Sequence, residues 1–369
     1  MKDKKIAIVA DWLTTYGGAE KVVKSLHDIF PKAPIYTSQY CDKEIDWFND
    51  CDIRTGWMNL FPAKLRKVLS VFRAIYFTNL DLSEYDVIIS VTTAESKGVK
   101  TTSNQLHISY LQGPPTQYLW GMYDKYIENP GFGKLNSIVR FFFRLLIKPL
   151  RKLDYKYAQR PDFLLANSTY SAEEIKKYYH RESEVIFPPV EIDKFKLNKD
   201  KCDYFISTAR QVNWKRLDLA IRACIATGEK FVLIGGGAEH GKLIELANKN
   251  QNIEFKPVIK SPAELSKIVS QAKGFIFPSL EPFGIAPIEA LATGTPVLAF
   301  KKGGALDYIK SGENGLFFDE QSEESLILGI KEFNKIKFDA NKVSLSARRF
   351  SEIEFKKRMA KIIDEKVSH

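Results

Sequence analysis

The sequence predicts an α/β protein made of two doubly wound domains that face a central cleft. Three observations carry this. A short apolar strand, Ile6–Ala10, opens into a loop ending in Gly17–Gly18 and then a helix over residues 19–30 stopped by Pro31. That is the strand–loop–helix unit of a doubly wound domain. The same rhythm restarts after residue 200, with a strand at 204–208, a helix over Leu217–Thr227 closed by Gly228, and Phe231–Ile234 running into Gly235–Gly236–Gly237. Between the halves lies VIFPPVEIDKF, where Pro188–Pro189 stiffens the chain and interrupts regular structure.

The remaining elements follow the same logic. Apolar runs at 87–91, 107–111 and Phe163–Ala166 are further strands of the first half, the last followed by Asn167, Ser168 and a helical stretch through Tyr179. Runs at 274–278 and 296–300 are strands of the second half, separated by a helix. Residues 350–367 read as a highly charged helix. The expected division is a domain over 1–188, a second over 189–348 and a terminal helix over 349–369. Open α/β sheets bind ligands at the carboxyl ends of their strands, so the chemistry is expected there.

A chain of 369 residues suits two domains. With 44% hydrophobic and 27% charged residues it has the composition of a soluble globular protein. No uncharged apolar window reaches the roughly 18–20 residues of a membrane span. The apolar run after the basic start stops at Asp11, too short for a signal peptide, so a cytoplasmic location is expected. Cys41, Cys51, Cys202 and Cys224 form no C-x-x-C pair and read as reduced thiols. His27, His107, His180, His240 and His369 have no partner at metal-ligand spacing. The net charge of +10 points to a polyanionic partner: nucleic acid, an anionic bilayer or a phosphorylated substrate.

The richest segment is FPSLEPFGIAPIEALATGTPVLAF, residues 277–300. A strand enters a loop holding Glu281, Pro282 and Gly284, and a helix is expected to start near Pro287 and end near Gly294. The helix N-terminus then faces the loop, and its free N–H groups and dipole make an anion site that Gly284 lets a phosphate approach. Glu281, in the loop, and Glu289, expected in the first helical turn, border that site. A carboxylate beside a phosphate is suited to accepting hydrogen bonds from sugar hydroxyls; for Glu289 alone, complementarity to the helix dipole explains it equally well. In YFISTARQVNWK, residues 204–215, Arg210 is expected to end a strand and Lys215 to lie in the loop before the next helix. A guanidinium fork and a point charge at a strand end suit a diphosphate; two solvated surface cations are the alternative.

The pattern E-x7-E in EPFGIAPIE, followed by ALATGTPVLAFKKGGALDYI and SGENGLFF, resembles the donor site of the family-4 retaining glycosyltransferases, which have the GT-B fold. The resemblance extends to the GGAE turn at residues 17–20, to ANSTYSAEEIKKYY, to FPPVEIDKF and to the Arg210–Lys215 pair. Within that family, ADWLTTYGGAEKV and QLHISYLQGPPTQYLW resemble the mannosyltransferases of bacterial O-antigen assembly.

The resemblance implies a GDP-mannose donor and no metal cofactor. It implies that Arg210 and Lys215 bind the diphosphate, Glu281 the transferred sugar and Glu289 the ribose. The backbone amides of Phe283, Gly284, Ile285 and Ala286 complete the cradle, and Gly17 and Gly18 face it from the first domain. It also implies an acceptor-binding first domain, a donor-binding second domain and a last helix packed on the first. The branch carries a histidine before the proline where this chain has Gln112, ahead of Gly113–Pro114. Gln112 can contact a sugar hydroxyl but cannot gain a proton.

Two basic stretches remain. Residues 62–77 hold Lys64, Arg66, Lys67 and Arg73 among apolar residues. Residues 134–160 hold eight basic residues, among them Arg140, Arg144, Lys148, Arg151 and Lys152, with one acid and two clusters of Phe and Leu. Basic residues interleaved with Phe and Leu suit an interfacial helix on anionic lipid, and a partly buried helix with a solvated basic face is the plainer reading. Nucleic acid is disfavoured because no recognition motif accompanies the charge.

The expected protein is a peripheral membrane enzyme with a lipid-linked saccharide acceptor. A UDP-sugar donor, a nucleotide-sugar epimerase, a sugar phosphorylase and a non-enzymatic sugar-nucleotide-binding subunit are the rivals. Asp50–Cys51–Asp52 could mark a metal-dependent transferase, but it follows no strand pattern.

Overall fold

The computed structural model describes residues 4–62, 69–128, 133 and 136–367. The chain divides into two compact units, Met1–Pro189 with Phe355–His369, and Val190–Glu354.

The first unit is built on a seven-stranded sheet. Its strands are β1 (Ile6–Ala10), β2 (Ile35–Thr37), β3 (Ile53–Arg54), β4 (Val87–Thr92), β5 (Leu106–Leu111), β6 (Phe163–Ala166) and β7 (Glu184–Val185). Their order is β3-β2-β1-β4-β5-β6-β7 and every pair is parallel. The connecting helices are α1 (Gly18–Ile29), α2 (Ser70–Thr78), α3 (Tyr123–Glu128), α4 (Asn136–Ala158) and α5 (Thr169–Tyr179). A parallel sheet covered on both faces needs strands that are apolar throughout, and all six residues of β4, VIISVT, are buried. α1 turns Val22, Val23 and Leu26 into the core against Ile8 and Ile89. Ser168 caps α5 by accepting from the Ser171 N–H at 3.0 Å.

The second unit contains β8 (Cys202–Thr208), α6 (Leu217–Thr227), β9 (Phe231–Ile234), α7 (His240–Ala247), β10 (Ile253–Lys256), α8 (Pro262–Gln271), β11 (Ala272–Phe277), α9 (Ile285–Ala292), β12 (Val297–Phe300), α10 (Ala305–Tyr308), β13 (Gly315–Phe318), α11 (Glu323–Phe333) and α12 (Ala340–Ser346). The sheet is parallel, ordered β10-β9-β8-β11-β12-β13. The last helix, α13 (Glu352–Val367), belongs to the first unit from Phe355 onward. It is more than a solvated helix, because Phe355, Met359, Ile362 and Ile363 are buried in the same cluster as Ile8, Val22 and Tyr110.

Both sheets reverse their strand order beside the first strand, between β1 and β4 in one unit and between β8 and β11 in the other. Crevices open at the carboxyl ends of strands at such a switch point. In the first unit a side chain of the chain itself takes the backbone amides there. Asp11, just past β1 and buried, accepts from the N–H groups of Thr93 at 2.6 Å, Ala94 at 2.9 Å, Glu95 at 3.1 Å and Ser96 at 2.7 Å. In the second unit the equivalent place holds the loops that carry Arg210, Lys215 and Glu281.

Candidate donor site

The loop after β8 leaves the sheet gradually. The Ala209 N–H still bonds Ile234 O at 3.1 Å, and a 3-10 turn over Asn213–Lys215 then leads to Arg216, whose left-handed backbone (φ 50°) opens α6. Arg210 lies two residues beyond the end of β8 rather than ending it, because the ladder runs on through Ala209 without the chain remaining a strand. Its exposed guanidinium stands 5.6 Å from the Trp214 ring centre. The N–H of Gln211 bonds Gly236 O at 2.8 Å, so the triple glycine after β9 braces the Arg210 backbone.

The loop after β11 carries Glu281, whose carboxylate accepts from Ser279 Oγ at 2.8 Å and pairs with the Lys215 ammonium. Two groups 66 residues apart in sequence (281 − 215) thus meet at the switch point, each about one-fifth exposed. Phe283 anchors the loop: its ring is buried against Tyr308 and Phe350, and its carbonyl accepts from Tyr308 Oη at 3.1 Å.

Gly284 has φ 97°, a conformation that side chains disfavour, and any Cβ there would stand 2.8 Å from the Phe277 ring. This turn lets α9 begin at Ile285, two residues ahead of the start expected near Pro287. Pro287 still falls within the first turn, where its missing N–H costs nothing. Glu289 therefore lies in the second turn, not the first, and is half-buried. No side chain caps α9, so the N–H groups of Ile285 and Ala286 remain at its N-terminus as the anion site requires.

Sequence reasoning missed what supports this loop. The N–H of Gly304 bonds Glu281 O at 2.9 Å, and a Cβ on Gly304 would lie 2.4 Å from both Phe283 Cα and Pro282 O. The KKGG stretch is thus the floor under the Glu281 loop. Apart from its place in the run that carries the family resemblance, its sequence signal is the doubled glycine after a strand.

In the first unit, Gln112 lies beside the glycine turn. Its Nε2 donates to Ala19 O at 3.1 Å, next to Gly17 and Gly18, and its own carbonyl accepts from Asn167 Nδ2 at 2.6 Å. A buried polar cluster lies near the β4 loop. Arg73 Nε meets Glu95 at 2.9 Å, and Lys97 Nζ meets Asp154 at 2.8 Å. Asp154 also accepts from Thr116, Trp120 and Tyr179 at 2.7 to 2.8 Å. Arg73 is thereby removed from the basic surface to which its sequence neighbours assigned it. Lys64, Arg66 and Lys67 lie outside the described residues.

On α4, Arg140 bonds the carbonyls of Ile127 and Glu128, and Arg151 bonds Leu119 O and packs over Trp120 and Tyr123. Those two face the protein. Arg144, Lys148 and Lys152 are exposed. In the Asp50–Cys51–Asp52 segment, Asp52 pairs with Arg54 at 2.9 Å. Among the described residues no three His, Cys, Asp or Glu side chains gather to hold a metal, and no helix is long and apolar enough to cross a membrane.

The chain has the GT-B fold of the solved structures it resembles, two units each built on a parallel sheet. Residues 189–350 match the family of group 1 glycosyl transferases, a span that takes in nearly all of the second unit. The chain is 24% identical over 290 residues to the alpha-1,3/1,6-mannosyltransferase ALG2 of Mus musculus, covering 69% of this chain and 66% of that protein. It is 22% identical to the ALG2 of Rhizomucor pusillus over 60% of this chain and 59% of that one, so it spans a little under two thirds of these relatives.

Among solved structures it resembles Anabaena Alr3699/HepE in complex with UDP, with a TM-score of 0.68, 16% identity and coverage of 98% of this chain and 100% of that one. It also resembles the apo form of the lipopolysaccharide outer core galactosyltransferase WaaB, with a TM-score of 0.69, 16% identity and coverage of 98% and 99%.

Proposed function

We propose that the chain is a retaining glycosyltransferase. In this reading it moves mannose from GDP-mannose to a lipid-linked saccharide during bacterial surface polysaccharide assembly, at the inner face of the cell membrane. The observation that carries the reading is the meeting of Lys215 and Glu281 at the switch point of the second unit, with Arg210 on the loop that carries Lys215 and α9 beginning four residues after Glu281. The cations and amides suit a diphosphate, and the carboxylate suits sugar hydroxyls. The likeness to ALG2 mannosyltransferases supports mannose as the sugar.

Arg210, Lys215 and the amides of Phe283, Gly284, Ile285 and Ala286 stabilise the departing diphosphate, so no metal is needed in this reading. Glu289 holds the ribose. The bond from the anomeric carbon to the phosphate oxygen breaks as the acceptor oxygen bonds on the same face, and the departing phosphate oxygen takes the acceptor's proton. Positioning by Glu281 supplies the remainder.

The test is hydrolysis and binding of GDP-mannose, GDP-fucose, UDP-glucose, UDP-galactose and UDP-N-acetylglucosamine by the wild type and Glu281→Ala. Selective use of GDP-mannose that collapses in the variant is the expected result. Selective use of a UDP sugar, the nucleotide bound in HepE, keeps the chemistry and discards the mannose assignment. Binding of none of them discards the transferase.

A further inference from the structure

α4 leaves large apolar side chains exposed. The helix buries Ile147, Asp154, Tyr157 and Ala158 on one side. Ile138, Phe141, Phe142 and Leu145 recur at i, i+3, i+4 and i+7, the spacing of a single helical face. All four are exposed, Phe141 and Leu145 each at 65%. A helix packed on a soluble core turns its polar face to water, and here the outer face is aromatic and aliphatic. Arg144, Lys148 and Lys152 repeat every four residues along the strip beside it.

A second exposed cluster, Val71, Phe72 and Ile75, lies on α2. Val71 and Leu150 line one small cavity, and the Trp57 ring centre lies 6.5 Å from that of Phe72.

We propose that α4 lies in the interface of an anionic bilayer. Phe141, Phe142 and Leu145 insert among the acyl chains, and Arg144, Lys148 and Lys152 reach the headgroup phosphates. An apolar face with a basic margin is the pattern of an interfacial helix, and long basic side chains keep their charge at headgroup level while their stems lie along the apolar layer. Charge selects lipid over a second copy of this chain, since a copy docked on the same face would set one row of three cations against another. The proposal deepens the membrane-surface reading above and rests on it only for the lipid-linked acceptor; it is independent of the donor.

Insertion and electrostatic adsorption differ in their response to salt. Screening shortens from roughly 10 Å at about 0.1 M to roughly 3 Å at about 1 M salt, which releases a protein held by charge and spares one held by burial. The experiment is flotation of the full chain with vesicles of phosphatidylglycerol and phosphatidylethanolamine at both salt levels. It compares the wild type, Phe141→Ser/Leu145→Ser, and Arg144→Gln/Lys148→Gln/Lys152→Gln. The wild type should keep a vesicle-bound fraction at high salt. The apolar double variant should lose roughly tenfold or more of its partitioning at both levels, since two large side chains leave the acyl layer. The basic triple variant should lose binding chiefly at low salt.

GDP-mannose hydrolysis measured without vesicles should match the wild type in both variants, which separates this proposal from the donor reading. Equal flotation of the double variant and the wild type, or complete release of the wild type by salt, overturns insertion. A wild-type dimer that becomes monomeric in the double variant assigns the face to a second copy.

Discussion

The Lys215 ammonium is paired with the Glu281 carboxylate across two neighbouring strands, one group arriving from the loop after β8 and the other from the loop after β11. In the proposed donor complex each has a different partner, a phosphate for Lys215 and a sugar hydroxyl for Glu281. Binding the whole donor replaces both halves of the ion pair, whereas a nucleoside diphosphate alone replaces one and leaves the carboxylate beside an anion. Glu281→Gln should therefore bind GDP about fivefold more tightly, matching the roughly 1 kcal/mol at most expected of such a part-exposed pair. Mannosyl transfer should slow about 100-fold or more. Calorimetry and initial rates would show this, and weaker GDP binding would mean that the carboxylate does not compete with the diphosphate.

Gly304 gives a steric prediction. A Cβ there meets backbone atoms of Pro282 and Phe283 at 2.4 Å, and backbone cannot step aside by changing rotamer. Gly304→Ala should cost about 2 kcal/mol in stability, an overpacking penalty, and weaken GDP binding. Gly241→Ala, on α7 with nothing within 4 Å of its Cβ, should be neutral or stabilising by about 0.5–1 kcal/mol. Thermal melts of the two variants would separate the site's steric need from a general intolerance of glycine replacement.

His107 gives an acid limb. Burial, helped by Arg160 and Arg181, lowers its pKa to about 3 from 6.5. The neutral ring shares a 2.8 Å hydrogen bond with Ser90. Since the folded value lies below the unfolded one, its contribution is present above about pH 6.5 and is lost as pH falls toward 3. The loss amounts to a few kcal/mol, on the order of 1.4 for each pH unit that separates the two pKa values. Denaturant titrations of His107→Gln should show a flatter decline over that range than the wild type.

The Arg73–Glu95 pair gives a prediction of opposite sign. Burial pushes the Glu95 carboxyl up to about 7, against the pull of Arg73. A raised carboxyl favours the fold below its unfolded value near 4.5, and that contribution fades as pH rises toward 7. Arg73→Met leaves a buried carboxylate without its cation. The variant should lose about 3–5 kcal/mol at neutral pH and lose stability with rising pH more steeply than the wild type. Unfolding free energies at pH 5 and pH 8, about 2 units below and 1 above the Glu95 value, would show the difference.

Much of the fold is legible because strands of a covered parallel sheet are apolar throughout and each feeds a loop and a helix. β1, β4, β8 and β9 announce themselves in this way. β3 and β7, two residues each, carry no period to detect. The loops of the candidate site are legible by residue type and position, but the meeting of Lys215 with Glu281 is not, since spacing along a chain does not encode contact across a sheet. Arg73 reads as part of a basic surface, and only a tertiary partner, Glu95, 22 residues away (95 − 73), makes its burial tolerable; Lys97 is buried likewise against Asp154, 57 residues away (154 − 97). The basic segment over α4 is recognisable, but its orientation depends on which face Tyr157 and Asp154 anchor, and a sequence does not show which side of an amphipathic helix meets the core.

Asp11 has a wider consequence. Both units present backbone amides at the same turn of the same strand order, and each could in principle admit an anionic visitor. A carboxylate on the chain itself is a permanent resident of the first of these berths, at an effective concentration that dissolved phosphate does not match. Four amides are already taken there before any nucleotide arrives. In the proposed reading the diphosphate is therefore left to the second unit, because the first arrives with its tenant built in.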